Sequence, residues 1–350
     1  MKAVGYRRSL PIDDPESLID VTVDDPRPGA RDLLVEVRAI SVNPVDTKMR
    51  MRAAPAPGAT NVLGWDAAGI VREVGTEVSL FRRGDEVFYA GAIQRPGTNA
   101  QLHAVDERIV GRKPASLDFA QAAALPLTSI TAWELLFDRL GATRRAAGAG
   151  DGTGNPAASS RRTLLITGAA GGVGSMLVQL ARQLTDLTVV GTASREETAQ
   201  WVRALGAHAV IDHSKPLAGE LARAGIGQID LVASLTHTDE HFAALVEAMA
   251  PQGKFALIDD PKTAPDVMSM KRKSLSLHWE LMFTRALFET PDMIEQHRLL
   301  NEVSRLVDAG VLRTTLTETL GVIDAATLRR AHALIEGSRA RGKLVLSGFS

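Results

Sequence analysis

Apolar and polar positions follow two rhythms along the chain. Up to about residue 125 the apolar residues come in short runs, partly alternating with polar ones and broken by Gly and Pro. Residues 33–40 alternate in this way and predict a strand. Residues 69–74 predict a second, closed by Gly75, and the Arg83-Gly84-Asp85 turn feeds a third through Val87, Phe88 and Tyr89. Several short strands at such spacing point to a small barrel or sandwich. Residues 118–140 predict helix, interrupted at Pro126, which lacks a backbone donor.

From Thr163 the rhythm changes. Thr163–Thr167 is a short continuous apolar run, the pattern of a parallel strand buried on both faces. Val173, Met176, Leu177, Leu180, Ala181 and Leu184 then recur at helical spacing. Further strands are predicted at 187–192, 208–212, 229–233 and 254–258, with helices over 198–205 and roughly 239–250. Strands alternating with helices mean an α/β unit with a parallel sheet and right-handed crossovers. Between the two textures, residues 141–160 are dominated by Gly, Ala and Ser and predict a flexible surface insertion rather than a functional lid.

Composition narrows the function classes. The 350 residues suit about two domains. A hydrophobic content of 45% with 23% charged residues excludes disorder for the bulk of the chain. Forty Lys and Arg stand against 41 Asp and Glu, a net charge of −1, so the basic excess of a nucleic-acid or anionic-membrane binder is missing. The chain has no Cys, which excludes disulfides, thiolate nucleophiles, iron–sulfur clusters and Cys-based zinc sites. No apolar run is long enough to span a bilayer, and residues 1–8 carry no apolar signal region. A cytoplasmic location without a membrane partner is the expectation.

The strongest chemical signal follows the strand at 163–167. Gly168-Ala169-Ala170-Gly171-Gly172-Val173-Gly174 separates it from the next helix. Against the dinucleotide fingerprint G-x-G-x-x-G, Ala169 replaces the first Gly while Gly171 and Gly174 keep the other two. Gly171 and Gly172 let the backbone approach a pyrophosphate, Gly174 lets helix and strand pack closely, and the helix start at Ala170 to Gly174 offers free N–H groups to the anion. The next strand ends at Thr192-Ala193-Ser194-Arg195, without the acid that would bind an NAD ribose. Ser194 and Arg195 suit a 2′-phosphate instead and favour NADPH. Ser194 with Glu197 also has capping-box spacing, so Ser194 is equally a helix cap. His237 and His241 are four residues apart, but Thr238-Asp239-Glu240 reads as a helix start and places His237 before the helix, which argues against a metal pair.

At this point the chain resembles the medium-chain dehydrogenase/reductase superfamily. The carrying motifs are Ser41-Val42-Asn43-Pro44-Val45-Asp46, Leu63-Gly64-Trp65-Asp66-Ala67-Ala68-Gly69, Arg83-Gly84-Asp85-Glu86-Val87, Ala123-Ala124-Leu125-Pro126-Leu127-Thr128, and Gly342-Lys343-Leu344-Val345-Leu346. Within it the chain is most similar to the zinc-free quinone oxidoreductase branch, whose close relatives often carry a zinc-type alcohol dehydrogenase-like label. The resemblance implies a Rossmann doubly wound parallel sheet over 126–310, with the insertion at 141–160, and a β-rich GroES-like barrel domain from 1–125 and about 311–350. It implies NADPH-dependent hydride transfer to a quinone or α,β-unsaturated carbonyl, and a homodimer. The other reading is an NADPH-binding protein with a structural or RNA-binding role.

The resemblance also assigns residues. Asn43 stands where zinc enzymes have their first Cys ligand and Trp65 where they have His, so no metal is implied. Asn43 is a candidate donor to the acceptor oxygen or cofactor amide, or a turn-stabilising Asn before Pro44. Thr128 resembles a residue near the nicotinamide, or caps a helix. Many relatives carry a Tyr after Asp46; here only Tyr6 and Tyr89 exist, so Tyr-assisted proton donation is weakened and Lys48 is the substitute candidate, or a plain exposed Lys. His213, Leu235, Thr236 and Ile258 match cofactor-flanking positions at strand ends. Lys343 reaches the cofactor phosphate or lies at the surface. The acceptor pocket is expected from residues 43–65 and 279–284, with Met282 and Phe283 as an apolar wall or as packing.

Overall fold

The computed structural model describes residues 1–145, 162–338 and 340–349. The remainder of the predicted insertion beyond residue 145 lies outside the described residues. The chain divides into two units, Met1–Ile130 with Met282–Ser350, and Thr131–Leu281.

In chain order, the elements begin with β1 (Lys2–Tyr6), β2 (Ile19–Thr22), β3 (Asp32–Ser41), α1 (Pro44–Arg52), β4 (Asn61–Val62), β5 (Ala67–Val74), β6 (Glu86–Tyr89), β7 (Leu102–Asp106) and β8 (Val110–Arg112). Helices α2 (Phe119–Ala123) and α3 (Pro126–Trp133) follow, and α3 runs on as a π-helical turn, Glu134–Arg139. The parallel region comprises β9 (Thr163–Thr167), α4 (Gly172–Leu184), β10 (Thr188–Thr192), α5 (Glu196–Ala204), β11 (Ala209–Ile211), α6 (Leu217–Arg223), β12 (Ile229–Ser234), α7 (Thr238–Ala248), β13 (Met249–Leu257) and β14 (Ser276–Trp279). The chain closes with α8 (Thr284–Leu287), α9 (Glu295–Asp308), β15 (Leu316–Ile323), α10 (Ala325–Glu336) and β16 (Lys343–Phe349).

The second unit holds a six-stranded sheet in the order β11-β10-β9-β12-β13-β14, every neighbouring pair parallel. This is a doubly wound order: the chain starts in the centre, moves one way, then restarts beside its first strand. The switch point lies between β9 and β12. Leu164, Leu165, Ile166, Val189, Val190, Leu231, Val232, Phe255 and Leu257 are fully buried, which is why these strands read as unbroken apolar runs.

The first unit is built on β3. This long strand pairs antiparallel with β5, β7 and β16. The sheet continues as β15-β16-β3-β5-β6-β8, and a separate small sheet runs β2-β1-β4. Because β16 pairs with β3 from Ser41 to Ala39, the end of the chain returns beside the segment that opens α1.

The expected boundary near residue 310 is corrected: residues 282–310 belong with the first unit. The reason is packing by α9. Its Leu300 lies against Gly111 of β8, where an added Cβ would approach the Leu300 Cβ to 2.5 Å. Asn301 accepts the Arg112 N–H at 2.9 Å, and Asp308 accepts the N–H groups of Ala115 and Ser116 at 3.1 and 2.9 Å.

Candidate cofactor and acceptor sites

In the second unit the Gly-rich turn leaves β9 at its carboxyl end. Gly168 takes φ +64°, and the Gly171 N–H donates back to the Gly168 carbonyl at 3.0 Å. A Cβ on Gly174 would lie 2.5 Å from the Gly168 carbonyl oxygen and 2.6 Å from the Ala169 Cα, so only Gly allows α4 this close to the strand. At Gly171 an added Cβ would meet only the Gly168 carbonyl, at 3.4 Å, which leaves its outer face open. The first turn of α4, Gly172 to Gly174, presents N–H groups that have no intrahelical acceptor.

Neighbouring strand ends supply the rest. Leu235 N–H donates to the Thr167 hydroxyl at 3.0 Å, and Thr236 packs over Gly168, its Cγ2 2.9 Å from where a Cβ would stand. Ile258 N–H reaches the Ser234 carbonyl at 3.3 Å at the end of β13. Ala193 N–H donates to the Ile211 carbonyl at 2.9 Å, which puts Ser194 and Arg195 at the level of Asp212 and His213. Ser194, Arg195 and His213 are exposed. The structure thus collects Ala170 to Gly174, Ser194, Arg195, His213, Leu235, Thr236 and Ile258 along one sheet edge.

Helix α5 corrects one alternative for Ser194. Its N-cap is Arg195, without a side-chain capping bond, so the Ser194–Glu197 capping box does not form. The sequence reading overlooked Thr192. Its hydroxyl is buried at the carboxyl end of β10 and has no hydrogen-bond partner among the described residues. A hydroxyl there, just before the residues chosen for the cofactor, was legible as a strand-end polar residue. These features fit a dinucleotide: a Gly cradle, a helix start and an unpartnered hydroxyl at adjoining strand ends.

In the first unit two of the residues assigned from the sequence, Asn43 and Lys343, belong to a buried network instead of an open site. Asp66 is its centre and is 0% exposed. Its Oδ2 accepts from Ser41 Oγ at 2.9 Å, Asn43 Nδ2 at 2.8 Å and Lys343 Nζ at 2.9 Å. Its Oδ1 accepts the Leu127 N–H at 2.7 Å, at the start of α3. Asn43 Nδ2 also donates to the Trp65 carbonyl at 3.3 Å, and its Oδ1 accepts from Lys343. Asn43 is therefore fully engaged and buried, and its reading as a free donor to the acceptor is corrected.

Lys343 is corrected in the same way. Its Nζ donates to Asp66, to Asn43 Oδ1 and to the Val42 carbonyl at 3.1 Å. Three partners use its three donors, so its ammonium is committed inside the unit and not to a cofactor phosphate. Thr128 is buried, and its hydroxyl, inside the first turn of α3, donates to the Leu125 carbonyl at 3.0 Å, which is not a capping bond. Lys48 is half-buried on α1. Asp66 went unnoticed because nothing in Gly64-Trp65-Asp66-Ala67-Ala68 reveals which cation faces it from the far end of the chain. One signal was present: a single acid among small and apolar residues.

Burial shapes the ionisation around these groups. Asp46, on the first turn of α1, is pushed up to about 7 by burial, partly offset by the Asn43 N–H and the nearby Lys343. Met282 and Phe283 are buried, and the Phe283 ring meets Trp65 edge-on at 6.1 Å, so they are packing residues. Trp279 and Leu281 are exposed.

Comparison with known proteins is consistent with both units. Over 347 residues, 99% of either chain, the sequence is 35% identical to a zinc-type alcohol dehydrogenase-like protein of Staphylococcus epidermidis. The chain belongs to the medium-chain dehydrogenase/reductase superfamily. An alcohol dehydrogenase GroES-like domain matches residues 29–115 and a zinc-binding dehydrogenase domain matches residues 205–346. A quinone oxidoreductase of Pseudomonas aeruginosa is 30% identical over 324 residues, 91% of this chain and 92% of that protein. A crystal structure of a Rhizobium etli protein, described as a candidate zinc-dependent alcohol dehydrogenase, superposes with TM-score 0.92 at 59% identity, covering 100% of this chain and 98% of that one.

The zinc in these names meets a donor set that does not fit it. A catalytic zinc needs three protein ligands of N, S or O type. The two residues that the resemblance matches to zinc-ligand positions are Asn43 and Trp65, and Trp65 is buried with its indole N–H near the Ala92 carbonyl, at 3.4 Å. Among the described residues no group of three or more His, Cys, Asp or Glu side chains is arranged to hold a metal ion. No helix among the described residues is long and apolar enough to cross a membrane.

Proposed function

We propose that this oxidoreductase uses NADPH to reduce a quinone or an α,β-unsaturated carbonyl without a metal ion. The observation that carries the cofactor reading is the Gly cradle between β9 and α4, with Ser194 and Arg195 exposed after β10 and no acid within residues 192–195. The 30% identity to a quinone oxidoreductase over most of both chains supports the acceptor class. When bound, the cofactor supplies the hydride. The N–H groups of Gly172 to Gly174 hold the pyrophosphate, and Arg195 takes the 2′-phosphate through paired, charge-assisted hydrogen bonds. His213, Leu235, Thr236 and Ile258 flank the dinucleotide at the strand ends. Lys48 supplies positive charge to the anion that develops on the acceptor. Thr128 contributes through its place on α3, beside the Leu127 N–H held by Asp66.

Titration of NADPH and NADH against the wild type and Arg195→Ala tests the cofactor. An Arg–phosphate contact predicts a preference for NADPH of roughly tenfold to a hundredfold, from about 1.5–3 kcal/mol. Arg195→Ala should erode it by weakening NADPH and leaving NADH unchanged. Equal wild-type affinities would overturn this assignment. NADPH oxidation across a panel of quinones and enones tests the reaction; no acceptor above the buffer rate would leave the chain without the proposed activity.

A further inference from the structure

Three imidazoles gather beside the strand ends of the second unit, and the cofactor reading uses only His213 among them. His213 follows β11, and its ring meets that of His241 on α7 edge-on, with centroids 6.0 Å apart. His237 is the N-cap of α7, in the left-handed region at φ 52°, and its Nδ1 lies 2.8 Å from the Thr236 hydroxyl. His213 and His237 are exposed, and His241 is half-buried. Arg195 and His213 each stand two residues beyond the bond from the Ala193 N–H to the Ile211 carbonyl, so the cluster adjoins the residues proposed for the 2′-phosphate. We infer that His213, His237 and His241 form a proton-operated part of that phosphate site, which strengthens the choice of NADPH over NADH as the medium becomes acidic.

The acids around the cluster are committed to other groups or lie in water. Asp212 accepts from the Ser214 N–H and hydroxyl at 3.0 and 2.7 Å and pairs with Lys215 at 3.2 Å. Glu220 on α6 accepts the Asp212 N–H at 3.0 Å and pairs with Arg223. On α7, Asp239 accepts the Lys262 N–H at 3.3 Å, and Glu240 is exposed. Asp259, after β13, accepts the Thr238 N–H and hydroxyl at 3.0 and 2.5 Å. On α5, Glu196 pairs with Arg203 at 3.4 Å, and Glu197 is exposed. Among the described residues none of the three rings forms an ion pair with a carboxylate. A proton on one ring therefore has no paired acid and meets its neighbours as like charges. Loss of water and the facing His241 ring hold His213 below its ordinary range, with Asp212 opposing and His237 adding to the effect. A phosphate beside the rings reverses this balance: it stabilises each imidazolium and is stabilised by it in turn. This role rests on the NADPH reading, but its signal is a slope with pH and not the preference itself.

Equilibrium binding of the oxidised nucleotides NADP+ and NAD+, which differ by the same phosphate, is the test. In the wild type the preference for NADP+ should be roughly threefold to tenfold stronger at about pH 5.5 than at about pH 8, the factor for one or two charges at about 6 Å through water. A phosphate monoester itself gains a proton at about pH 6, which alone would weaken the preference in acid, so a rise comes from the protein. His213→Gln combined with His241→Gln should abolish the rise. His237→Asn, at a left-handed position that suits Asn, should diminish it. Arg195→Ala should lower the preference at both pH values and keep the rise. Should the double variant unfold in acid, His237→Asn carries the comparison, because its ring is exposed. A wild-type preference that is level or falls in acid overturns the role of the cluster and leaves the NADPH reading standing on the preference in alkali. A rise that survives in the histidine variants does the same. Equal affinities for the two nucleotides at both pH values overturn both readings.

Discussion

At the scale of single residues, chemistry-bearing side chains and buried side chains are easily confused. Asn43 carries an amide within one of the motifs that carry the resemblance, and the sequence leaves donor and turn roles open. The structure places it 1% exposed, with Nδ2 and Oδ1 both bonded. Asn43→Ala should therefore act first on stability. It strips one donor from Asp66 and one acceptor from Lys343, at about 1–3 kcal/mol for each buried group left unpaired. Denaturant unfolding with an unchanged slope and a lower midpoint is the expected result, with the cofactor dissociation constant unaltered. An unchanged midpoint would return Asn43 to the list of free donors. Residue type and spacing identified Asn43, Asp66 and Lys343 as parts of motifs. They could not show that two residues 277 positions apart share a proton-rich contact, because that pairing depends on β16 returning beside β3.

Elements were legible where their pattern was local. The strands β3, β5, β6, β9, β10, β11, β12 and β13 all stand on runs that read as strands, since each buries a continuous or alternating apolar set. Helix α4 was legible from its apolar face and its Gly-rich start. Short elements escaped: α6 has seven residues with one buried side chain, and β14 has four residues at a sheet edge, too little of either to impose a period. The junction of β9 and α4 permits a sharp test. Gly174→Ala places a Cβ 2.5 Å from the Gly168 carbonyl oxygen, and backbone on both sides cannot yield as a flexible side chain would. The start of α4 must shift, so NADPH binding should weaken at least tenfold, with a stability loss of about 1–3 kcal/mol from overpacking. Gly219→Ala on exposed α6, with nothing within 4 Å of its Cβ, is the matched control and should leave binding unchanged. Equal effects from both would remove the packing argument.

Over the whole molecule, the two units were visible as two textures, but not where the second ends. Residues 282–310 lack strand alternation, and α9 is an ordinary amphipathic helix that would suit either unit; only its contacts with β8 and the preceding turn decide. The same scale governs the response to pH, because buried ionisable groups in both units add. His103 and His332 are fully buried and held down, to about 4 and about 3, chiefly by loss of water. Unfolding lets them take up protons below their ordinary value of 6.5, so stability falls as the medium is acidified from there. On the other side stands Glu280, pushed up to about 9 by burial and by the adjoining Glu134, although Arg139 pairs with it at 2.7 Å. The folded chain keeps this proton while the unfolded chain releases it near 4.5, so its contribution is complete in acid and is lost as pH rises towards 9. Asp46 acts in the same sense up to about 7. Between about 4.5 and 6.5 the two histidines and the two acids oppose one another, so the decline in acid sets in below about 4.5, whereas above 6.5 only the acids act and stability falls as pH rises. Above pH 7 the decline belongs mainly to the Glu134–Glu280 pair, at about 1.4 kcal/mol per pH unit for one proton. Glu280→Gln keeps the size of the side chain and removes the proton. Urea unfolding between pH 7 and 9 should show the wild type losing stability with pH while Glu280→Gln stays nearly level. A wild-type profile that is flat over that range, or a variant that falls just as steeply, would show that Glu280 carries its charge in the folded protein.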